Sequence, residues 1–199
     1  MIVVVNPDFP EPRKIRLAVD QLQAGKVIGY PTDTTYAIGC ALSQRAAIER
    51  LYSIKSMKRS QPLSLICPDL SDVSRFAMVE NQNYRLLRRL LPGAYTFILP
   101  ATREVPKILV SKQKTIGLRV PNCPITLALV RELGEPLVTT TAGDHGGEAL
   151  TDAREVDQRF GGLGLVIDGG WGATVPTTIV DLIEGKVLRE GAGSIDALG

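Results

Sequence analysis

Histidine, cysteine and aromatic residues are scarce in this chain. One histidine, His145, and three cysteines, Cys40, Cys67 and Cys123, occur in 199 residues. A Ser/His/Asp or Cys/His mechanism would have to use that one histidine. It sits beside Asp144 in the glycine-rich stretch AGDHGGEAL, where a solvated side chain is the ordinary outcome. The cysteines lie far apart, form no Cys-x-x-Cys pair, and would leave one over in any disulfide scheme. They read as reduced, mostly buried thiols of a cytoplasmic protein, and so few His and Cys argue against structural zinc. An aromatic content of 5% argues against recognition of single strands by base stacking. The net charge is only +2, so a nucleic-acid footprint must be a local patch. No stretch nears the ~20 apolar residues of a membrane span, and MIVVVNPDFPEPRK has neither the basic start nor the apolar core of a signal peptide. A GxxxxGK[ST] motif is missing, so a nucleotide would bind without a P-loop.

What is present is a run of short apolar segments. Residues 2–5, 27–30, 63–67, 95–99, 115–120, 137–140, 163–167, 178–182 and 186–188 are Val/Ile-rich and bounded by Gly, Pro or Asp, which predicts strands. Helical periodicity appears over 13–22, 44–54, 81–91, 124–133 and 151–160. Ser43 is the expected cap of the second of these, Pro124 and Gly134 bracket the fourth, and Asp152 with Glu155 opens the fifth. Strands alternating with helices through the first two-thirds predict an α/β fold in one domain, and DLIEGKVLRE predicts a closing hairpin about Glu184-Gly185. The expected whole is a single twisted, mixed sheet with flanking helices.

The polar features lie at the ends of these strands. In PTDTTY (31–36), Thr32, Asp33 and Thr34 follow a strand where ligands of open α/β sheets gather, although local turn chemistry would also use them. Lys55 shares a helix face with Ile48, Leu51 and Tyr52. It either points to a site or complements the helix dipole. Lys58 and Arg59 follow closely, as a phosphate grip or a solvated elbow. Thr115, Gly117 and Arg119 alternate along one side of a strand, and a charge there needs a partner, a ligand or an edge position. Thr139, Thr140 and Thr141 end another strand, and Thr177-Thr178 open a third. Arg189 ends the last strand, and Trp171 packs or tops a turn.

In order, YPTDTTYAIGC, Lys55 with Pro62-Leu63, LPGAYTFIL, TIGLRVPNCPITLAL, PLVTTTAG, DGG…TTIVD and LREGAGSI resemble the YrdC/YciO family over residues 15–193. The resemblance implies a YrdC-like domain with a large, concave, basic cavity. It implies threonylcarbamoyl-AMP synthase chemistry on L-threonine, bicarbonate or CO2 and ATP with Mg2+, serving threonylcarbamoyladenosine formation in tRNA alongside tRNA-modification proteins. Lys55 would contact ATP phosphates and Arg119 would hold the threonine carboxylate. Thr32 and Thr178 would reach threonine, Thr34 and Thr139 would bind substrate beside them, Thr141 stands where the family has the serine of its Ser-x-Asn motif, and Thr115 and Arg189 would approach the nucleotide. Two departures weaken the phosphate side. Lys-x-Arg reads Lys55-Ser56-Met57, and Ser-x-Asn reads Thr141-Ala142-Gly143, which places the chain nearer the YciO-like branch. Lys58 or Arg59 could stand in for the missing arginine. The other implied role is double-stranded RNA binding, with Lys55, Lys58, Arg59, Lys112, Lys114 and Arg119 as a backbone-gripping patch.

Overall fold

The computed structural model describes residues 1–143 and 148–199. His145, and with it part of the 142–150 loop, lies outside them. The strands are β1 (Ile2–Val4), β2 (Ile28–Tyr30), β3 (Ala37–Ala41), β4 (Ser64–Ile66), β5 (Tyr95–Pro100), β6 (Thr115–Arg119), β7 (Leu137–Thr141), β8 (Val166–Asp168), β9 (Thr178–Asp181) and β10 (Lys186–Arg189). The helices are α1 (Pro12–Gln23), α2 (Arg45–Ile54), α3 (Leu70–Phe76), α4 (Asn81–Leu90), α5 (Pro124–Leu133) and α6 (Ala153–Arg159). One mixed sheet runs β1-β8-β2-β3-β7-β4-β6-β5-β9-β10. The expected hairpin joins β9 to β10, with Gly185 at φ +65° in its turn.

Period-two alternation divides the apolar residues between the two sheet faces. Ile38, Leu65, Phe97, Leu118 and Val138 face Ile48 and Leu51 of α2, Phe76 of α3 and Leu87 of α4. The opposite face takes Ile28, Tyr30, Ile66 and Leu137 against Ile15, Val19 and Leu22 of α1 and Ile125, Leu129 and Val130 of α5. Each such large aliphatic side chain contributes roughly 1.5–3 kcal/mol on burial. The helices α1 and α5 shelter only part of that second face. Beyond them its inward positions turn from Leu and Ile to Ser and Thr.

Two elements escaped the sequence pattern. The strand β3, AIGCA, is buried at every position. Its small residues carry little strand propensity, and its central place supplies the burial instead. The helix α3 is capped by Asp69, whose carboxylate accepts from the backbone N–H of Ser71 and Asp72. The expected Ser43 cap is corrected. Gln44 holds the cap position of α2 without a side-chain bond, and the Ser43 hydroxyl donates to Glu135 at 2.6 Å. Asp152 caps α6 through the N–H groups of Arg154 and Glu155, and Gly134 closes α5 at φ +76°.

Candidate active site

The continuation of the second sheet face beyond α1 and α5 is paved with short hydroxyls. Thr139 of β7 stands opposite Ser64 of β4, and Ser64 opposite Gly117 of β6. Thr96 of β5 stands opposite Ile179 of β9. Ser64, Thr96, Thr139, Thr141 and Thr177 border one cavity of about 150 Å³, with Arg119 and Arg189. Beside it, position 117 requires glycine, because a Cβ there would lie 2.7 Å from Ser64 Oγ and 3.3 Å from Thr96 Cγ2.

A second glycine lets a buried phenol reach the cavity wall. The order β2-β3-β7 puts β3 between Tyr30 and Thr139. The Tyr30 hydroxyl crosses Gly39 and donates to Thr139 Oγ1 at 2.7 Å. A Cβ on Gly39 would meet that hydroxyl at 2.8 Å. Burial is the main cause that pushes the Tyr30 phenol well above its ordinary value, so it remains a donor.

The PTDTTY loop is pinned at the rim between β2 and β3. Pro31 O accepts from Thr126 Oγ1 of α5 at 2.7 Å, and Asp33 Oδ2 accepts from the Asn122 N–H at 3.0 Å. Thr32 Oγ1 donates to Thr35 O at 2.6 Å and accepts from the Thr34 N–H. Turn chemistry and site chemistry therefore coexist in one loop. Arg119 leans into it, with Nη2 donating to Thr34 Oγ1 at 2.9 Å, to Thr32 Oγ1 at 3.4 Å and to Asp33 Oδ1. Arg119 is only 8% exposed, yet its buried Nε has no hydrogen-bond acceptor among the described residues. A guanidinium donor left without an acceptor is costly.

Arg189 faces the same cavity from β10. Its Nε and Nη2 donate to Thr177 O at 3.0 and 2.9 Å, and Nη2 also reaches Thr177 Oγ1 at 3.2 Å. Thr177 Oγ1 is 2.9 Å from Thr96 Oγ1. Burial, then the repulsion of Arg119, draws the Arg189 guanidinium below its ordinary value.

Of the residues expected at the site, Arg119, Thr139, Thr141 and Arg189 border the cavity, and Thr32 and Thr34 bind Arg119 at its edge. Three others stand elsewhere. Thr178 is fully buried on the other face, where its hydroxyl donates to Gly193 O at 2.6 Å and accepts from the Gly191 N–H. Its neighbour Thr177 is the one at the cavity. Thr115 bonds Ser111 at the far end of β6, about 13 Å along the strand from Arg119. Arg59 lines a separate groove of about 610 Å³ with Arg45 and Lys107 and pairs with Glu49 at 3.5 Å.

Lys55 reaches the end of β7 from α2 and donates to Thr141 O at 3.0 Å and to Gly143 O. Its Nζ also lies 5.4 Å from the centre of the Phe160 ring. Of the six cations considered for an RNA backbone, Arg119 is buried, Lys55 donates to carbonyls and Arg59 lines another groove. Sequence reasoning passed over Ser64 and Thr96, whose shared face appears only once the strands are paired; it named the Thr177-Thr178 pair but assigned the substrate contact to Thr178. Trp171 is 80% exposed, on a loop tied to the rim by the Ala173 N–H to Thr34 O bond. The cysteines are free and buried. No described helix is long and apolar enough to cross a membrane.

The chain is similar to known proteins in sequence and fold. A family model for the Sua5, YciO and YrdC proteins, described as telomere recombination, matches residues 20–191. The uncharacterized protein YciO of Escherichia coli K12 is 41% identical over 196 residues, covering 96% of this chain and 95% of its own. Its crystal structure superposes with a TM-score of 0.95 at 38% identity, over 100% of this chain and 99% of that one. A threonylcarbamoyl-AMP synthase of Chromobacterium violaceum is 36% identical over 185 residues, 92% of this chain and 96% of its own. Sua5 of P. abyssi, crystallised with L-threonine, gives a TM-score of 0.89 at 28% identity, over 96% of this chain and 57% of the Sua5 chain.

Proposed function

The chain belongs to the Sua5/YciO/YrdC family, and from that premise we propose that it is an ATP-dependent nucleotidyltransferase of the threonylcarbamoyl-AMP synthase type. L-Threonine would take up CO2, supplied by bicarbonate, on its amino nitrogen. A carbamate oxygen would then attack the α-phosphorus of ATP, the bond to the β-phosphate would break, and pyrophosphate would leave. The acyl adenylate so formed is a competent carbamoyl donor for an adenosine of tRNA.

One observation carries this reading. Arg119, nearly buried, borders a cavity lined by hydroxyls together with a second arginine, Arg189. Arginine suits planar capture of a carboxylate, and the L-threonine complex of the related Sua5 supports that use of the cavity. Positioned cations and hydroxyls are the main device of such a transfer, and no covalent nucleophile is required.

Among the described residues no cluster of three His, Cys, Asp or Glu side chains forms a metal site. The described residues thus offer no such cluster for a resident ion, and Mg2+ would arrive on the oxygens of ATP. The phosphate side of the reaction is the weaker half. Lys55 is engaged with the carbonyls of Thr141 and Gly143, Met57 cannot neutralise phosphate charge and Gly143 has no side chain. Slow turnover follows from these three features.

The test is pyrophosphate release from ATP, Mg2+ and bicarbonate with and without L-threonine. Release that rises when threonine is added supports the reading. Release unchanged by threonine overturns it.

A further inference from the structure

We propose that β1 is the pairing edge of a two-fold homodimer, in which the β1 strands of two copies join antiparallel and continue the sheet from one copy into the other.

The sheet has two outer strands, β1 and β10, and only one of them is protected. β10 reads Lys186-Val187-Leu188-Arg189, with a cation at each end, and its register shifts between Val187 and Arg189. Charges and bulges are the ordinary defence of an outer strand against pairing. β1 reads Ile2-Val3-Val4 and lies in the run MIVVV, which holds no charged side chain, no proline and no glycine. Its free backbone groups can be assigned from its bonds to β8. The Val166 N–H donates to Met1 O, the Val5 N–H donates to Asp168 O, and Val3 stands opposite Ile167. Backbone groups of successive strand residues point to alternate sides. The N–H and C=O of Ile2 and Val4 are therefore directed away from β8, where no further strand stands.

Exposure marks the same edge. Among the described residues the four most exposed large apolar side chains are Met1, Val4, Phe9 and Trp171, at 62–80%. Three of them belong to β1 and its two ends. The fourth follows β8, whose Asp168 is the register partner of Val4. The turns that carry the two aromatics are pinned. Asn6 Oδ1 accepts from the N–H groups of Asp8 and Phe9 at 3.0 and 2.9 Å. On either side of Trp171, the Gly170 N–H donates to Asp168 Oδ1 at 2.9 Å and the Gly172 N–H to Thr151 O at 2.7 Å. Apolar side chains gathered on an anchored surface mark an interaction site.

The occupant is a second copy because the strand complements itself. A two-fold axis at Val3 sets Ile2 opposite Val4 of the other copy and Val4 opposite its Ile2. Each pair exchanges both of its outward hydrogen bonds, and no like charges meet. The corresponding axis on β10 would set Lys186 against Arg189, which is unfavourable. An isologous contact of this kind closes at two copies. The paired segment is short, which puts the association in the weak class. The interface lies outside the hydroxyl-lined cavity and does not depend on what that cavity binds.

Sedimentation equilibrium from about 10 µM to about 1 mM protein, the span of weak specific complexes, tests this. The mean mass is expected to rise from the 21.5 kDa of one chain toward twice that value. Val4→Lys puts a cation on the edge, and Val4→Pro removes an N–H that β8 does not use. Each is expected to raise the dissociation constant about tenfold or more. Leu188→Lys, on the other outer strand, should leave it unchanged. In the unmodified chain, hydrogen exchange of the Val4 amide should slow as protein concentration rises, a readout that decides the matter even where a variant unfolds. A mass that stays at one chain throughout, a dimer that both Val4 variants leave intact, a dimer that Leu188→Lys disrupts as strongly, or Val4 exchange independent of concentration would each overturn the proposal.

Discussion

Thr177 and Thr178 are consecutive, and their hydroxyls lie on opposite faces of the sheet. Thr177 Oγ1 meets Thr96 Oγ1 and Arg189 at the cavity, while Thr178 Oγ1 bridges Gly193 O and the Gly191 N–H in the interior. Their isosteric replacements should separate binding from stability. Thr178→Val strands a buried carbonyl and a buried N–H and is expected to lower unfolding free energy by about 1–3 kcal/mol, read as a shift in urea midpoint. Thr177→Val leaves that midpoint nearly unchanged and weakens the binding of L-threonine. The reverse pattern would show that the face assignment is wrong.

Why the sequence favoured Thr178 is instructive. In TTIV both alternating sets hold one threonine and one aliphatic residue, and only Asp181 distinguishes them, so period two orients the strand weakly. The orientation comes from Gly191 and Gly193, which approach closely from beyond β10. Gly193 has no room for a Cβ, which would lie 2.5 Å from the Tyr95 ring. Arg119 was legible because a charged residue alternating with Gly117 stands out in an apolar strand. Ser64 and Thr96 were not, since a lone hydroxyl in a buried strand acquires meaning only from the strands beside it. The hidden strand β3 follows the same logic: AIGCA becomes a strand through its neighbours.

The Asp33–Arg119 pair is nearly buried, with side chains 11% and 10% exposed. Arg119→Met leaves the Asp33 carboxylate uncompensated and is expected to destabilise the fold by about 3–5 kcal/mol. Adding Asp33→Leu should recover most of that loss, since an apolar pair can replace a buried ion pair. Threonine binding should be lost in both variants. Chemical denaturation with a threonine titration on the same samples checks this, and recovered binding in the double variant would remove Arg119 from the site.

Gly117 and Ser64 form a second coupled pair. Gly117→Ala drives a methyl against Ser64 Oγ, with an expected loss of about 1–3 kcal/mol from overpacking. Ser64→Ala relieves the contact, so the double variant should be more stable than the sum of the two single effects. A double-mutant cycle on urea midpoints reads the coupling. Strict additivity would mean that the methyl is accommodated elsewhere.

Alkaline stability should depend on Cys40. Burial first, and then the nearby Glu135 carboxylate, push its thiol from 9.0 up to about 12. The unfolded chain loses this proton first, so the stabilisation is complete below pH 9 and declines as pH rises from 9 to about 12. Cys40→Ala should therefore flatten the fall in urea midpoint between pH 8 and pH 10.5. An unchanged slope would show that Cys40 does not contribute to it.

The two positions that depart from the synthase pattern should respond differently to restoration. Met57 is half-buried against the core, and an arginine there can lay its stem on the same surface and send its head outward. Met57→Arg is therefore expected to fold and to raise threonine-dependent pyrophosphate release by roughly tenfold, the value of one charge-assisted contact. Gly143 offers no such room. It forms a backbone bridge with Ala149, and a Cβ would meet Glu148 O at 2.6 Å and Ala149 Cα at 3.1 Å, both backbone atoms. Gly143→Asn should push the 148–149 backbone away, disturb the carbonyl that Lys55 grips, and lower stability without raising release. Thermal melts and the release assay on both variants decide the matter. A fully stable Gly143→Asn variant with faster release would mean that this turn can open to admit the side chain.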